Sequence, residues 1–185
     1  MIRIGIAGAG GIGSNVAAAL ARSGAEELRI ADFDRVEASN LDRQFYTADQ
    51  VGNLKTGMLK NNLVRINPAL NVECLDTKID CSNSALLFDD CSCVVEGMDT
   101  LSDKRMFVET MARTGRHVVA ASGIAGPSLQ GIRVKRLANC HIVGDFESDV
   151  QNLPVNPEKV LAVSFIMAGI IIRKFSFNQK RNHER

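Results

Sequence analysis

Gly8-Ala9-Gly10-Gly11-Ile12-Gly13 follows directly on the apolar run Ile4-Gly5-Ile6-Ala7 and leads into a helix-forming stretch. Glycines at this spacing, between a strand and a helix, suit the binding of a phosphate. Gly8 permits a tight turn, Gly10 lets the backbone approach a phosphate, and Gly13 lets the helix lie close to the strand. The helix N-terminus then offers unpaired N–H donors and the positive end of its dipole. Gly11 extends the bare surface of the same turn. The competing reading is a tight strand–helix turn that binds nothing. Asp32, with Asp34 as the near alternative, stands at the end of the next strand-like run. An acidic residue there sits beside the glycine turn and can accept hydrogen bonds from a ribose. These features fit ATP and NAD equally.

The elements that must hold these residues alternate. A strand over 2–7 and a helix over 14–23 are followed by a second strand over 27–31 ending at Asp32-Phe33-Asp34. Val51, Leu54, Met58, Leu59, Leu63 and Ile66 fall near the helical period, which predicts a long amphipathic helix from Asp49 or Gln50 to Ile66. Asn67-Pro68 stops it, because proline cannot continue a helix. Strands are predicted over 71–75, 91–96 and 117–121, with helices over 82–88 and 102–114 between them. This order implies an α/β fold: a Rossmann-like, doubly wound, mostly parallel sheet. Residues 129–137 alternate apolar and polar, which suits an exposed or antiparallel strand, with 140–143 as its partner. The sheet is therefore expected to carry an antiparallel extension near the C-terminus. An apolar run over 160–172, interrupted by Ser164, is too short to span a bilayer and reads as a helix that is either core or a dimer face.

Composition describes one globular domain over 1–185, with 176–185 as a frayed polar tail. Of 185 residues, 45% are hydrophobic and 23% charged, and the net charge of +1 gives no reason to expect a nucleic-acid or membrane partner. Five cysteines occur without a C-x-x-C pair. Cys91 and Cys93, two apart on a predicted strand, read as small core residues sharing one face. Reduced thiols and the lack of a targeting segment lead to a cytoplasmic expectation. His117, His141 and His183 are not spaced with cysteines as a ligand set, so no zinc is expected.

The residues after the second strand separate the two nucleotide readings. Asp32-Phe33-Asp34, then Ser39-Asn40-Leu41-Asp42-Arg43-Gln44, then Gly52-Asn53-Leu54-Lys55, and finally Glu96-Gly97-Met98-Asp99 resemble the ThiF/MoeB/HesA family, bacterial relatives of the ubiquitin-activating enzymes. The resemblance runs in register from Ile4 to about Gly126. It is strongest, by length and by Gly144-Asp145-Phe146-Glu147-Ser148-Asp149, to the short ThiF-like branch of thiamine biosynthesis. It implies an ATP-dependent adenylyltransferase, a homodimer, that activates the C-terminal Gly-Gly carboxylate of a small ubiquitin-like sulfur-carrier protein and releases pyrophosphate. Such chemistry brings two anions together and needs fixed cations, not a side-chain nucleophile. On this resemblance Arg43 and Lys55 supply positive charge, Asp99 holds Mg²⁺, Asp32 takes the ribose hydroxyls, and Asn40 and Gln44 orient the nucleotide or its neighbouring loop.

Each role has a plainer competitor. Arg43, Lys55 and Lys104 also read as solvated cations, Asp99 as a helix cap in competition with Ser102, and Asp34 as the residue that holds the turn. Cys140 reads as a packed small residue. Three departures from the family stand out: the first strand begins at Ile2 where relatives carry an arginine-bearing segment, the paired C-x-x-C zinc sites of longer members are absent, and no cysteine falls where a thioester or persulfide role can be assigned; Leu54 in place of a common proline is a minor one. The remaining alternatives are an NAD-dependent oxidoreductase and a nucleotide- or carrier-binding module without turnover.

Overall fold

The computed structural model describes residues 2–176. Strand β1 (Arg3–Ala7) enters helix α1 (Gly11–Arg22), and β2 (Glu27–Asp32) leads through a long loop to α2 (Lys55–Ile66) and β3 (Asn71–Asp76). The single helical turn α3 (Ser84–Leu87), then β4 (Cys93–Glu96), α4 (Leu101–Arg113) and β5 (His117–Ala121) continue the alternation. A hairpin, β6 (Arg133–Leu137) and β7 (Cys140–Gly144), and the long helix α5 (Pro157–Phe175) complete it. No described helix is long and apolar enough to cross a membrane.

The seven strands lie in the order β3-β2-β1-β4-β5-β7-β6. All neighbours are parallel except β6 and β7. The sheet is the expected mostly parallel, Rossmann-like one with an antiparallel extension. The strand order reverses between β1 and β4, and a crevice at the carboxyl ends of these two strands is where an open α/β sheet receives ligands. The last strand among the described residues, β7, does not sit at the edge. It pairs with β5 on one side and leaves all five residues of β6 exposed on the other.

Two apolar layers sandwich the sheet. On one face α1, α2 and α5 cover Ile4, Ile6, Ile30, Val95 and Val119. On the other, Phe88 and Phe107 meet edge to face at 5.7 Å above Val94 and Val118. Helix α5 buries Val160, Val163, Met167 and Ile171, while Leu161 and Phe165 remain on the surface.

Local boundaries depart from the periodicity in four places. Residues 49–54 are not the start of α2. Thr47 and Gln50 close a capping box on one 3-10 turn, Gly52 takes φ +87°, and the Asn53 carbonyl accepts from Val36 N, so the helix begins at Lys55. The strand expected over 129–137 starts only at Arg133, since Gly131 turns the chain with φ +77°. The helix expected over 82–88 shrinks to α3, because the Asp80 carboxylate takes the Ser82 and Asn83 N–H groups in a turn. Cys91 precedes β4 and packs on the opposite side of the sheet from Cys93, so the two do not share a face. The predicted tail lies outside the described residues, Ser176 excepted.

Candidate functional site

The glycine turn is wedged between the ends of β2 and β4. Gly8 N donates to the Ala31 carbonyl at 2.9 Å, and Gly97 N donates to the Ala7 carbonyl at 2.8 Å. Two of the glycines are required by the protein itself. Gly8 has φ +88°, and a Cβ there would sit 2.5 Å from the Gly97 carbonyl oxygen; a Cβ at Gly13 would collide with the Gly8 carbonyl oxygen. Gly11 is tight against α5, with Val160 Cγ1 3.2 Å from where its Cβ would be. Gly10 is different. Its φ of −79° suits any residue, and a Cβ would meet nothing nearer than Asp99 Oδ1 at 3.6 Å and Gln44 Nε2 at 3.9 Å. The fold gives no reason for Gly10 to be bare. A ligand approaching the backbone there would supply one.

Asp32 is buried and holds the turn with both oxygens: Oδ2 accepts from Ala9 N at 2.6 Å and Oδ1 from Asp34 N at 2.7 Å. Burial pushes its carboxyl up, against these two N–H groups and the Lys55 charge. The turn-holding role expected of Asp34 therefore belongs to Asp32. Asp34 instead pairs with Lys55, 2.9 Å from Oδ2 to Nζ. Lys55 is 5% exposed, delivered to this place by the Arg35–Leu54 bridge and by its own N–H bond to the Asp34 carbonyl. It is not a solvated cation, and it stands behind Asp34 rather than on the open wall of the crevice.

The loop between β2 and α2 is tied down onto the glycine turn by residues that carried no sequence signal. Asn15 Nδ2 donates to the Gly11 carbonyl at 2.6 Å and to the Arg43 carbonyl at 2.8 Å. Ser14 Oγ accepts from Phe45 N, and the Tyr46 hydroxyl donates to the Ala9 carbonyl at 2.8 Å. Asn40 is buried within the loop, where its side-chain oxygen accepts from Glu37 N and its carbonyl accepts from Arg43 N and Gln44 N. It orients the loop and not the crevice. Arg43 lies beside Gly11, its guanidinium on the Ser39 carbonyl and on Asp42. Gln44 reaches toward Gly10, and its buried Oε1 has no hydrogen-bond partner among the described residues.

Across the crevice, Glu96 is fully buried at the end of β4. It accepts from Met98 N at 2.7 Å and from Lys104 Nζ at 3.0 and 3.2 Å. Burial pushes the Glu96 carboxyl up, and the Lys104 ammonium opposes it. Lys104 thus braces the loop that carries Asp99. Thr100 caps α4, its Oγ1 accepting from Asp103 N at 3.1 Å, so neither Asp99 nor Ser102 has that task and Asp99 is left exposed. The result is a crevice of about 230 Å³ with Gly8 and Gly10 on its floor, Asp32 and Asp34 on one side, and Met98, Asp99 and Asp103 on the other. Thr77, Lys78 and Ile79 close its end, with Lys78 Nζ 5.9 Å from the centre of the exposed Phe33 ring. An apolar, partly aromatic end beside a carboxylate and a bare turn can seat a base, a ribose and a phosphate in that order.

Residues 1–167 match the ThiF family. The adenylyltransferase and sulfurtransferase UBA4 of Vanderwaltozyma polyspora is 31% identical over 120 residues, 64% of this chain and 28% of that protein. A probable molybdopterin-synthase adenylyltransferase of Porphyra purpurea is 29% identical over 116 residues, 62% of this chain and 30% of that protein. The chain thus spans less than a third of either relative. Among solved structures, the E. coli tRNA N6-threonylcarbamoyladenosine dehydratase TcdA in complex with AMP superposes with a TM-score of 0.86 at 22% identity, over 94% of this chain and 85% of that one. HcgE of Methanothermobacter marburgensis, bound to guanylylpyridinol and ATP, gives 0.77 at 20% identity and 96% of both chains. These two share the fold. The motifs and the match over 1–167 together place this chain in the ThiF family.

Proposed function

We propose that the protein is an ATP-dependent adenylyltransferase that activates the C-terminal Gly-Gly carboxylate of a small, ubiquitin-like sulfur-carrier protein, of the ThiS type. The observation that carries this reading is the approach of Gln44 and Asp99 at the switch point of the sheet to Gly10, a glycine the fold itself does not need. UBA4 and the Porphyra protein are named as adenylyltransferases, which supports the reaction class. Solved structures of TcdA with AMP and with ATP support the nucleotide.

In this reading the ribose hydroxyls reach Asp32, which keeps free lone pairs after its two backbone bonds. The phosphates lie over Gly10 and Gly11 at the start of α1, where N–H donors and the helix dipole favour negative charge. Arg43 exchanges Asp42 for a phosphate oxygen, and Gln44 finds there the partner its side chain lacks. Lys55 adds positive charge from its place at Asp34. Asp99, with Asp103 one helical turn away, presents hard oxygen ligands that fit Mg²⁺ held partly by phosphates; bound there, the ion would neutralise charge on the departing group. The carrier's carboxylate oxygen attacks the α-phosphorus, the bond to the bridging oxygen breaks, and pyrophosphate leaves with the electron pair. No protein nucleophile and no proton transfer are needed. The tail of the carrier enters from the side of the late strands, and the exposed β6 edge offers it backbone pairing. We place the reaction in the cytoplasm and assign the protein as a homodimer.

Thermal unfolding with MgATP, with ATP plus EDTA, with NAD⁺ and without ligand tests the nucleotide. A ligand at about a hundred times its dissociation constant stabilises the fold by roughly 2.7 kcal/mol. Stabilisation by MgATP, followed by carrier-dependent ATP–pyrophosphate exchange that Asp99→Ala abolishes, is the expected result. Stabilisation by NAD⁺ instead would overturn it, and nucleotide binding without exchange for any carrier would leave a binding module.

A further inference from the structure

At the opposite end of the sheet from the glycine turn, the amino-terminal ends of β4 and β5 and the β6–β7 hairpin border an open pocket of about 380 Å³. Ser92, Gly115, His117, Arg136, Asn139 and Lys174 lie on its walls. The wall carries two cations and no carboxylate, and neither Arg136 nor Lys174 is in an ion pair among the described residues. His117, 7% exposed, forms one wall and stacks edge to face on His141 at 4.8 Å. His117 Nε2 and His141 Nδ1 are both buried, and among the described residues neither has a hydrogen-bond partner. The hairpin turn that brings Arg136 and Asn139 together runs through Ala138 at φ +51°, a left-handed conformation that residues with a side chain seldom adopt.

Two exposed cations outside any described ion pair, on either side of a buried imidazole, make a pocket that suits an anion; the Asn139 amide is already engaged, donating to the Ala112 and Arg116 carbonyls. The charged or titratable groups that bear on it are Arg136 from β6, Lys174 from the last turn of α5, His117 from β5 and His141 from β7; β4 and the end of α4 contribute uncharged Ser92 and Gly115. Lys174 also offsets the negative end of the α5 dipole, which explains one cation but not Arg136 or the histidines. We infer that this pocket is a second, independent site that binds a phosphate-type oxyanion between Arg136 and Lys174, with His117 behind it. The same chemistry would be supplied by free phosphate or by the phosphate of a mononucleotide.

Burial, then the Lys174, His141 and Arg136 charges, hold the His117 imidazole down to about 4. An anion between the two cations removes part of that field, so binding must raise the imidazole and must tighten as pH falls. The test follows the histidine ring resonances of the full chain by NMR during titration with inorganic phosphate and, separately, with AMP. Saturable shifts of His117 and His141, with the His117 titration moving upward, are expected. Arg136→Gln and Lys174→Gln should each weaken binding about tenfold, as expected for one charge-assisted hydrogen bond, and Lys174→Arg should retain it. Shifts with phosphate identify the free ion as sufficient, and shifts with AMP alone identify the nucleotide. No saturable shift with either ligand, or equal shifts in well-folded Arg136→Gln and Lys174→Gln, would overturn the site.

Discussion

Gly10 and Gly13 stand three residues apart in one turn and answer to different demands. Gly13→Ala forces a methyl group into the Gly8 carbonyl and must move α1 off β1. It should lower the unfolding midpoint sharply whether or not ligand is present. Gly10→Ala meets only ordinary contacts, so the protein should keep its midpoint without ligand and lose the stabilisation that MgATP gives. Side-by-side melting curves of the two variants distinguish a glycine kept for the fold from one kept for a ligand. Tyr46→Phe is a finer probe of the same turn. It removes the hydroxyl that donates to the buried Ala9 carbonyl, which should cost about 0.5–1.5 kcal/mol by denaturant unfolding.

At the scale of elements, the carboxyl end of the sheet is locked to α5 through one charged node. Lys159 is 1% exposed; its Nζ lies 2.5 Å from Asp145 Oδ2 and 2.7 Å from the Ala125 carbonyl. Burial pushes the Asp145 carboxyl up, but the Lys159 ammonium and the donors of Glu147 and Ser148 outweigh it and hold it well below the usual range. Stability from this group is present above the ordinary carboxylate range and is lost as pH falls through and below it. Lys159→Met leaves a buried carboxylate without its cation and should cost about 3–5 kcal/mol in urea unfolding. The sequence marked the segment around Asp145 as a motif, but nothing in it singled out Lys159. Its partner lies in another element, and no periodicity reports that. The same limit hid Asn15, which reads as a polar helix residue until the Arg43 loop folds onto it. The sequence offered Lys55 as a candidate cation, but its burial against Asp34 was not legible there. By contrast, the strand–glycine–helix start and the βα alternation through β5 were legible, because these are local patterns. The insertion of β7 between β5 and β6 was not, since strand order is set by pairing at a distance.

Across the whole molecule the two ends of the sheet respond to pH and to partners differently. His117 titrates near 4 when folded against an ordinary 6.5, so the unfolded chain takes up its proton first. The stability it contributes is complete above about 6.5 and declines as pH falls toward 4. Urea midpoints measured over that window should fall, and His117→Phe should flatten the decline. The surface of α5 bears on assembly. Phe165 is 54% exposed beside Leu161, on a helix whose other face is core. Light scattering at micromolar concentration should show a dimer, and Phe165→Glu should shift it to monomer while leaving the fold intact.

The contact between Val160 and Gly11 has a consequence for how the molecule comes into being. The turn after β1 is backed by α5, nearly 150 residues further along the sequence. Closing so long a loop is slow, and it can happen only after α5 has been synthesised. A growing chain therefore displays its glycine turn long before that turn has its final wall. Nascent chains halted before residue 157 should be cut readily by protease at α1, and should become resistant once α5 emerges from the ribosome.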